Sequence, residues 1–257
     1  MKERRRQMKA VLYIGHGTRS KKGAAEASLF IRSVMKKVDA PIQKLCFLEL
    51  TEPDIEAGFE YCVHEGAEEI VIVPLFLLAA GHIKQDIPEA VAPLIKKHPA
   101  ITVRMADPFG VRDSILDAIA ELAADEAQPI RSNDSLLIVG RGSSDPSILK
   151  SFDSIKRGIS QRLGIRNVQV CYLAAAAPSF KDGLDSICNE ARGRIIVIPY
   201  LLFSGLLLSE VVREVNKKIK AGSSVNLTDT LGKHVAIQNL VAEKANGEVN
   251  VNAAVIH

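Results

Sequence analysis

The chain has 257 residues, of which 47% are hydrophobic and 25% charged, enough apolar material for a sizeable core and the opposite of a disordered composition. Its net charge of +3 comes from its start, where Lys2, Arg4, Arg5, Arg6 and Lys9 outweigh Glu3 by +4; the remaining body carries −1, which argues against a nucleic-acid-binding face. Cys46, Cys62, Cys171 and Cys188 form no Cys-x-x-Cys pair, so buried thiols are expected rather than a cluster or a disulfide framework.

In chain order, residues 1–9 read as a solvated basic tail. A buried strand is predicted near 10–15, ending in "VLYIGHGTRS" (Val11–Ser20), where a histidine stands between two glycines. A helix with Ala24, Ala27, Ile31 and Val34 on one face follows, and further strands are predicted near 42–48, 70–77 and 101–105. Ile115, Ile119 and Leu122 mark the next helix, and Gln, Pro, Ser and Asn gather in a linker at 128–134. Strands then recur near 135–139, 167–173, 194–202 and 224–228, before a tail at 246–257. Continuous apolar strands alternating with helices indicate an α/β protein whose parallel sheets are covered on both faces. The longest apolar runs, Ile70–Ala80 and Ile195–Leu208, fall short of the ~20 residues of a membrane span and contain Pro74, Pro199 and Gly205. No signal-peptide pattern is present, and a cytoplasmic protein with no membrane partner is expected.

The second half repeats the first. "YIGHGTRS" (13–20) aligns with "IVGRGSSD" (138–145), Gly15 to Pro53 and Gly140 to Pro178 are both 38 residues, and Pro53 to Pro74 and Pro178 to Pro199 are both 21. One gap then brings Gly81 onto Gly205, and "ADPFGVRDSI" matches "TDTLGKHVAI". Two similar four-stranded αβα lobes are therefore expected, at 10–127 and 135–245, facing each other across a cleft in a monomer with pseudo-twofold symmetry.

A duplication is its own control, because residues needed for the fold recur and residues needed for chemistry in one lobe need not. The glycines and prolines recur. His16 becomes Arg141, Glu49 becomes Ala174, and His82 becomes Leu206 in the gapped pairing. All three lie at the ends of predicted strands one to three, so two imidazoles and a carboxylate share a rim and form a candidate site for a divalent transition metal. His64, His98, His234 and His257 receive no role. Thr18, Ser20, Ser143 and Ser144 are candidate helix caps, and Arg19 and Arg141, beside helix N-termini, suit an anionic ligand.

"YIGHGTR", "FLELTEPDIEAGF", "IVIVPLFLLAAGHIKQDIP", "GRGSSDP" and "VIPYLLFSG" together resemble the class II chelatases of tetrapyrrole biosynthesis, in particular the two-lobed bacterial sirohydrochlorin chelatases, over Lys9 to Ala245. The resemblance implies insertion of Fe(II) into sirohydrochlorin to give siroheme, with the divalent metal as substrate and no prosthetic group. Cobalt or nickel insertion is the alternative, and a non-catalytic metal or tetrapyrrole carrier is the reading from a different class. The resemblance makes His16, Glu49 and His82 the metal-binding and catalytic residues. A substrate with many carboxylates then directs attention to Arg19, Lys84, Arg141 and the Gly142–Ser143–Ser144 turn, with Leu77, Leu78, Phe203 and Leu206 as candidate apolar lining. "GHGTR" lacks the arginine that precedes the histidine in phosphohistidine enzymes; Gly15 stands there instead, which disfavours that chemistry.

Overall fold

The structure, a computed structural model, describes residues 8–79 and 82–247, with backbone alone at His82 and Ile83. The first sheet is built from β1 (Lys9–Gly15), β2 (Ile42–Phe47), β3 (Glu69–Pro74) and β4 (Thr102–Met105) in the order β2-β1-β3-β4, and all its pairings are parallel. Between the strands run α1 (Lys21–Met35), α2 (Ile55–His64) and α3 (Ile87–Lys97), the last preceded by a π-helical turn at His82–Asp86. The second sheet, β5 (Ser135–Gly140), β6 (Asn167–Tyr172), β7 (Ile195–Pro199) and β8 (Val225–Leu227), has the equivalent order β6-β5-β7-β8, again parallel. Its helices are α5 (Pro146–Leu163), α6 (Phe180–Glu190) and α7 (Leu206–Lys220). Two further helices, α4 (Asp113–Glu126) and α8 (Val235–Asn246), follow the fourth strand of each repeat. The duplicated α/β fold expected from the sequence is the fold observed.

Residues Ala10 to Ile14 of β1 are fully buried, as are Leu136 to Val139 of β5. That is the burial of a central parallel strand with helices on both faces, and it explains why these strands read as unbroken apolar runs. The register aligns the strand ends: Gly15 lies opposite Phe47 and Ile14 opposite Pro74, while Gly140 lies opposite Tyr172 and Val139 opposite Pro199. Strands three and seven are shorter than predicted and stop at Pro74 and Pro199. A proline brings no N–H to the ladder, and beyond each one the chain leaves the sheet.

The two compact units differ from the sequence repeats at 10–127 and 135–245 by one helix each. Among the described residues, one unit comprises 8–109 with 238–247 and the other comprises 110–237. Thus α4, which belongs to the first repeat in sequence, packs on α5 of the second unit. Arg162 donates to Asp117 (2.6 Å) and Asp113 (2.7 Å), and a Cβ on Gly158 would sit 2.5 Å from Leu116. Most of α8 belongs to the first unit, where Lys37 donates to Asn239 (2.7 Å), Lys9 to the Ala245 carbonyl (2.7 Å) and the Asp39 N–H to Asn246 (3.3 Å). The 128–134 connection is pinned: buried Asp134 accepts from the Arg131 N–H at 2.8 Å and from Arg194 Nη2 at 2.7 Å. The tails at 1–7 and 248–257 lie outside the described residues.

Candidate metal site at the strand ends

The loop after β1 is joined to the loop after β2 by backbone pairing. The Leu48 N–H donates to the Gly15 carbonyl (2.9 Å) and the Glu49 N–H to the His16 carbonyl (3.1 Å). Thr51 Oγ1 accepts from the Thr18 N–H and donates to the Thr18 carbonyl, both at 3.0 Å. Gly17 makes the close approach possible: its φ is +92°, and a Cβ there would lie 1.6 Å from the Glu49 carbonyl oxygen. Ser20 then caps α1 by accepting from the Gly23 N–H at 3.2 Å.

This double loop brings two of the expected residues together. His16 Nδ1 lies 3.3 Å from Glu49 Oε1, with the imidazole about three-quarters buried and the carboxylate half exposed. A carboxylate at that distance favours the ring proton on Nδ1, which leaves Nε2 carrying the lone pair of the neutral imidazole. An imidazole nitrogen lone pair suits a borderline divalent cation, and the same nitrogen can accept a proton; the Glu49 carboxylate, at the Nδ1 edge of the ring, adds negative charge nearby. The ring of Phe76, two residues past β3, packs against His16 with centroids 6.0 Å apart and planes tilted by 36°.

His82 opens the π-helical turn, and its side chain lies outside the described residues. Lys84, on the same turn, and Arg19, between Thr18 and Ser20, are exposed. Among the described residues no group of three His, Cys, Asp or Glu side chains converges. Burial pushes the Cys62 thiol up to about 11 and that of Cys171 up to about 12, and raises Cys46 as well. His98 contacts Glu60 (3.0 Å). His234 contacts Glu121 (2.9 Å) while its Nδ1 accepts from the Ala236 N–H (3.2 Å).

The second unit repeats the turn without the histidine and the carboxylate. The Leu173 N–H donates to the Gly140 carbonyl (3.0 Å) and the Ala174 N–H to the Arg141 carbonyl (2.8 Å). Gly142 has φ +88°, and its Cβ would lie 1.8 Å from the Ala174 carbonyl oxygen. Arg141 and Ser144 are exposed on this rim. The cap of α5 is Asp145, which accepts from the Ser147 N–H at 2.9 Å, rather than Ser143 or Ser144. Ser143 accepts from the Asp145 N–H at 3.1 Å, as Thr18 accepts from the Ser20 N–H at 3.1 Å, so these two hydroxyls shape the turn instead of capping the helix. Asp145 aligns with Ser20 in the repeat, a correspondence that identifies the cap.

A duplicated four-stranded α/β unit in which one copy alone carries a strand-end histidine and carboxylate defines a two-lobed protein with a candidate metal site on one lobe. The CbiX family model matches residues 10–126 and again 135–248, and the chain belongs to that family. It is 38% identical, over 92% of its length and 89% of the relative's, to a sirohydrochlorin ferrochelatase of Priestia megaterium. Among solved structures, SirB from Bacillus subtilis with Fe3+ matches with a TM-score of 0.84 and 34% identity over 94% of this chain and 97% of that one. The sirohydrochlorin chelatase SirB from Bacillus subtilis subspecies spizizenii in complex with cobalt matches with a TM-score of 0.81 and 33% identity, with the same coverage.

Proposed function

We propose that this protein is a sirohydrochlorin ferrochelatase, a lyase-class metal chelatase that inserts Fe(II) into sirohydrochlorin to give siroheme with loss of both pyrrole N–H protons. The likeness to a ferrochelatase over 92% of the chain carries this reading. Insertion requires stripping water from the ion and accepting the pyrrole protons. In this reading the His16 Nε2 lone pair meets the ion or takes a proton, Glu49 holds the ring and supplies negative charge, and His82 contributes the second imidazole. Arg19, Lys84, Arg141 and the backbone N–H groups of Gly142 to Ser144 meet the substrate carboxylates. In this reading the protein works in the cytoplasm as a monomer, with sirohydrochlorin and the metal as its partners and neither nucleic acid nor membrane among them.

Cobalt insertion is the second reading, favoured by the cobalt complex of a 33% identical chelatase and by ligands that also accept Co(II). An anaerobic assay offering sirohydrochlorin with Fe(II), Co(II) or Ni(II), followed by absorbance, tests both. Multiple turnovers fastest with iron are expected. Faster cobalt turnover would transfer the assignment to cobalt, and release of no product beyond one equivalent would point to a carrier.

A further inference from the structure

The loops after the second strand of each repeat share one backbone. The Phe47 N–H donates to the Pro53 carbonyl (2.9 Å) as the Tyr172 N–H does to that of Pro178 (3.0 Å), and Leu50 and Ala175 both take a left-handed φ, +62° and +52°. Between these bonds the first repeat reads Glu49, Leu50, Thr51, Glu52, and the second reads alanine at every position from 174 to 177. The second loop is thus an alanine scan built into the molecule, and the turn closes without any of those four side chains. Three of them have partners in the first loop. Glu49 faces His16 (3.3 Å), Thr51 exchanges two hydrogen bonds with the Thr18 backbone (3.0 Å each), and Glu52 accepts from the Asp54 N–H (3.2 Å). Leu50 remains. Leu48, two residues earlier, packs against the hydrophobic core of the first unit, whereas Leu50 is 52% exposed.

A lone exposed leucine needs no explanation on most surfaces. This one follows Glu49 directly, at the candidate metal site. The left-handed turn belongs to the scaffold, since Ala175 shares it; what the first repeat adds is an apolar side chain at a fixed point of the rim. Backbone pairing on both sides orders that point during folding, so little ordering is left to be done when a ligand arrives. A tetrapyrrole offers two kinds of surface, carboxylates at its edge and an apolar ring face. Cationic and N–H groups serve the first, and the second calls for an apolar side chain exposed beside the metal site. We propose that Leu50 is a substrate-binding residue that packs on the face of the tetrapyrrole ring next to Glu49. The inference rests on the reading of the protein as a sirohydrochlorin chelatase given above.

The test is sirohydrochlorin binding to the metal-free protein, followed by the absorbance of the tetrapyrrole, in wild type, Leu50→Ala and Leu50→Met. Co(II) binding is measured alongside, from the d–d absorption of the bound ion with no tetrapyrrole present. Leu50→Ala installs the residue of the second loop and is expected to weaken sirohydrochlorin binding about five- to tenfold, the order for the exposed half of a leucine leaving water. Its Co(II) affinity and its denaturant midpoint should match wild type, because the same turn already holds an alanine in the second unit. Leu50→Met keeps the apolar surface and should recover most of the loss. Wild-type sirohydrochlorin affinity in Leu50→Ala would overturn this inference and leave the chelatase reading standing. An equal loss in Leu50→Met would overturn it too, because apolar surface would not be the cause. A matching loss of Co(II) affinity in Leu50→Ala would also overturn it, making Leu50 a prop for Glu49. Failure of the wild type to bind sirohydrochlorin would overturn the chelatase reading and this inference together.

Discussion

Gly17 and Gly142 occupy the same turn in the two repeats, with φ of +92° and +88°, and in each a Cβ would overlap the carbonyl oxygen of the facing loop. An alanine at either position combines a left-handed backbone costing ~1–2 kcal/mol with a clash that only backbone movement relieves. Both substitutions should therefore lose at least about 2 kcal/mol in denaturant unfolding. They should part at the metal, because the carbonyl displaced by Gly17→Ala belongs to Glu49 and that displaced by Gly142→Ala belongs to Ala174. Weaker Co(II) binding is expected in the first variant alone, and equal binding in the two would disconnect the turn from the site. His16→Ala and His82→Ala are each expected to slow metal insertion at least tenfold with the fold intact. Glu49→Gln, which removes the charge beside Nδ1 and keeps the shape, should cost about ten- to a hundredfold. His16 and Glu49 were legible because the repeat exposes what one copy has and the other lacks. Phe76, whose ring neighbours His16, was hidden inside an apolar run that reads as a longer strand.

Among the elements, the strands and their parallel arrangement followed from apolar patterning, since a central parallel strand must be apolar on both faces; their order in the sheets did not. The strand ends were less legible, because the apolar residues beyond Pro74 and Pro199 continue the pattern after the pairing has stopped. The connection at 128–134 shows the same limit in reverse: its composition is that of a linker, yet Asp134 is buried and anchors it. Burial alone would raise the Asp134 carboxyl, but the Arg194 guanidinium and the Arg131 N–H more than offset that and hold it below the usual carboxylate range. A carboxylate whose pKa is lower folded than unfolded contributes stability that is present above its unfolded value of ~3.9 and lost as the pH falls through the folded value. Asp134→Ala should thus cost about 2–3 kcal/mol at pH 7. The gap from wild type should narrow below pH ~4, as wild type loses the same contribution. Denaturant titrations at pH 7 and pH 3 check this, and a gap that stays constant would show that the charge of Asp134 is not what anchors the connection.

For the whole molecule, local pattern says that a helix has an apolar face but not which sheet receives it, and α4 and α8 show the consequence. Each follows the fourth strand of its own repeat in sequence, yet α4 and most of α8 belong to the unit built on the other. The first unit, which carries His16 and Glu49, therefore depends on residues more than two hundred positions downstream: Leu240, Val241 and Ala245 are buried, and Lys37 and Lys9 donate to Asn239 and to the Ala245 carbonyl. Leu240→Ala should destabilise by about 2–5 kcal/mol, the range for a buried leucine truncated to alanine. Where the loss appears is more telling than its size. Hydrogen exchange under native conditions reports local opening, and protection should fall in β1, α1 and β2 while β5, β6 and β7 keep theirs, although Leu240 lies in the second repeat by sequence. Protection lost mainly from β5 to β7 would show that α8 stabilises its own repeat. The expected pattern would mean that substitutions in α8 reach the candidate metal site through packing alone, weakening Co(II) binding only insofar as the first unit opens.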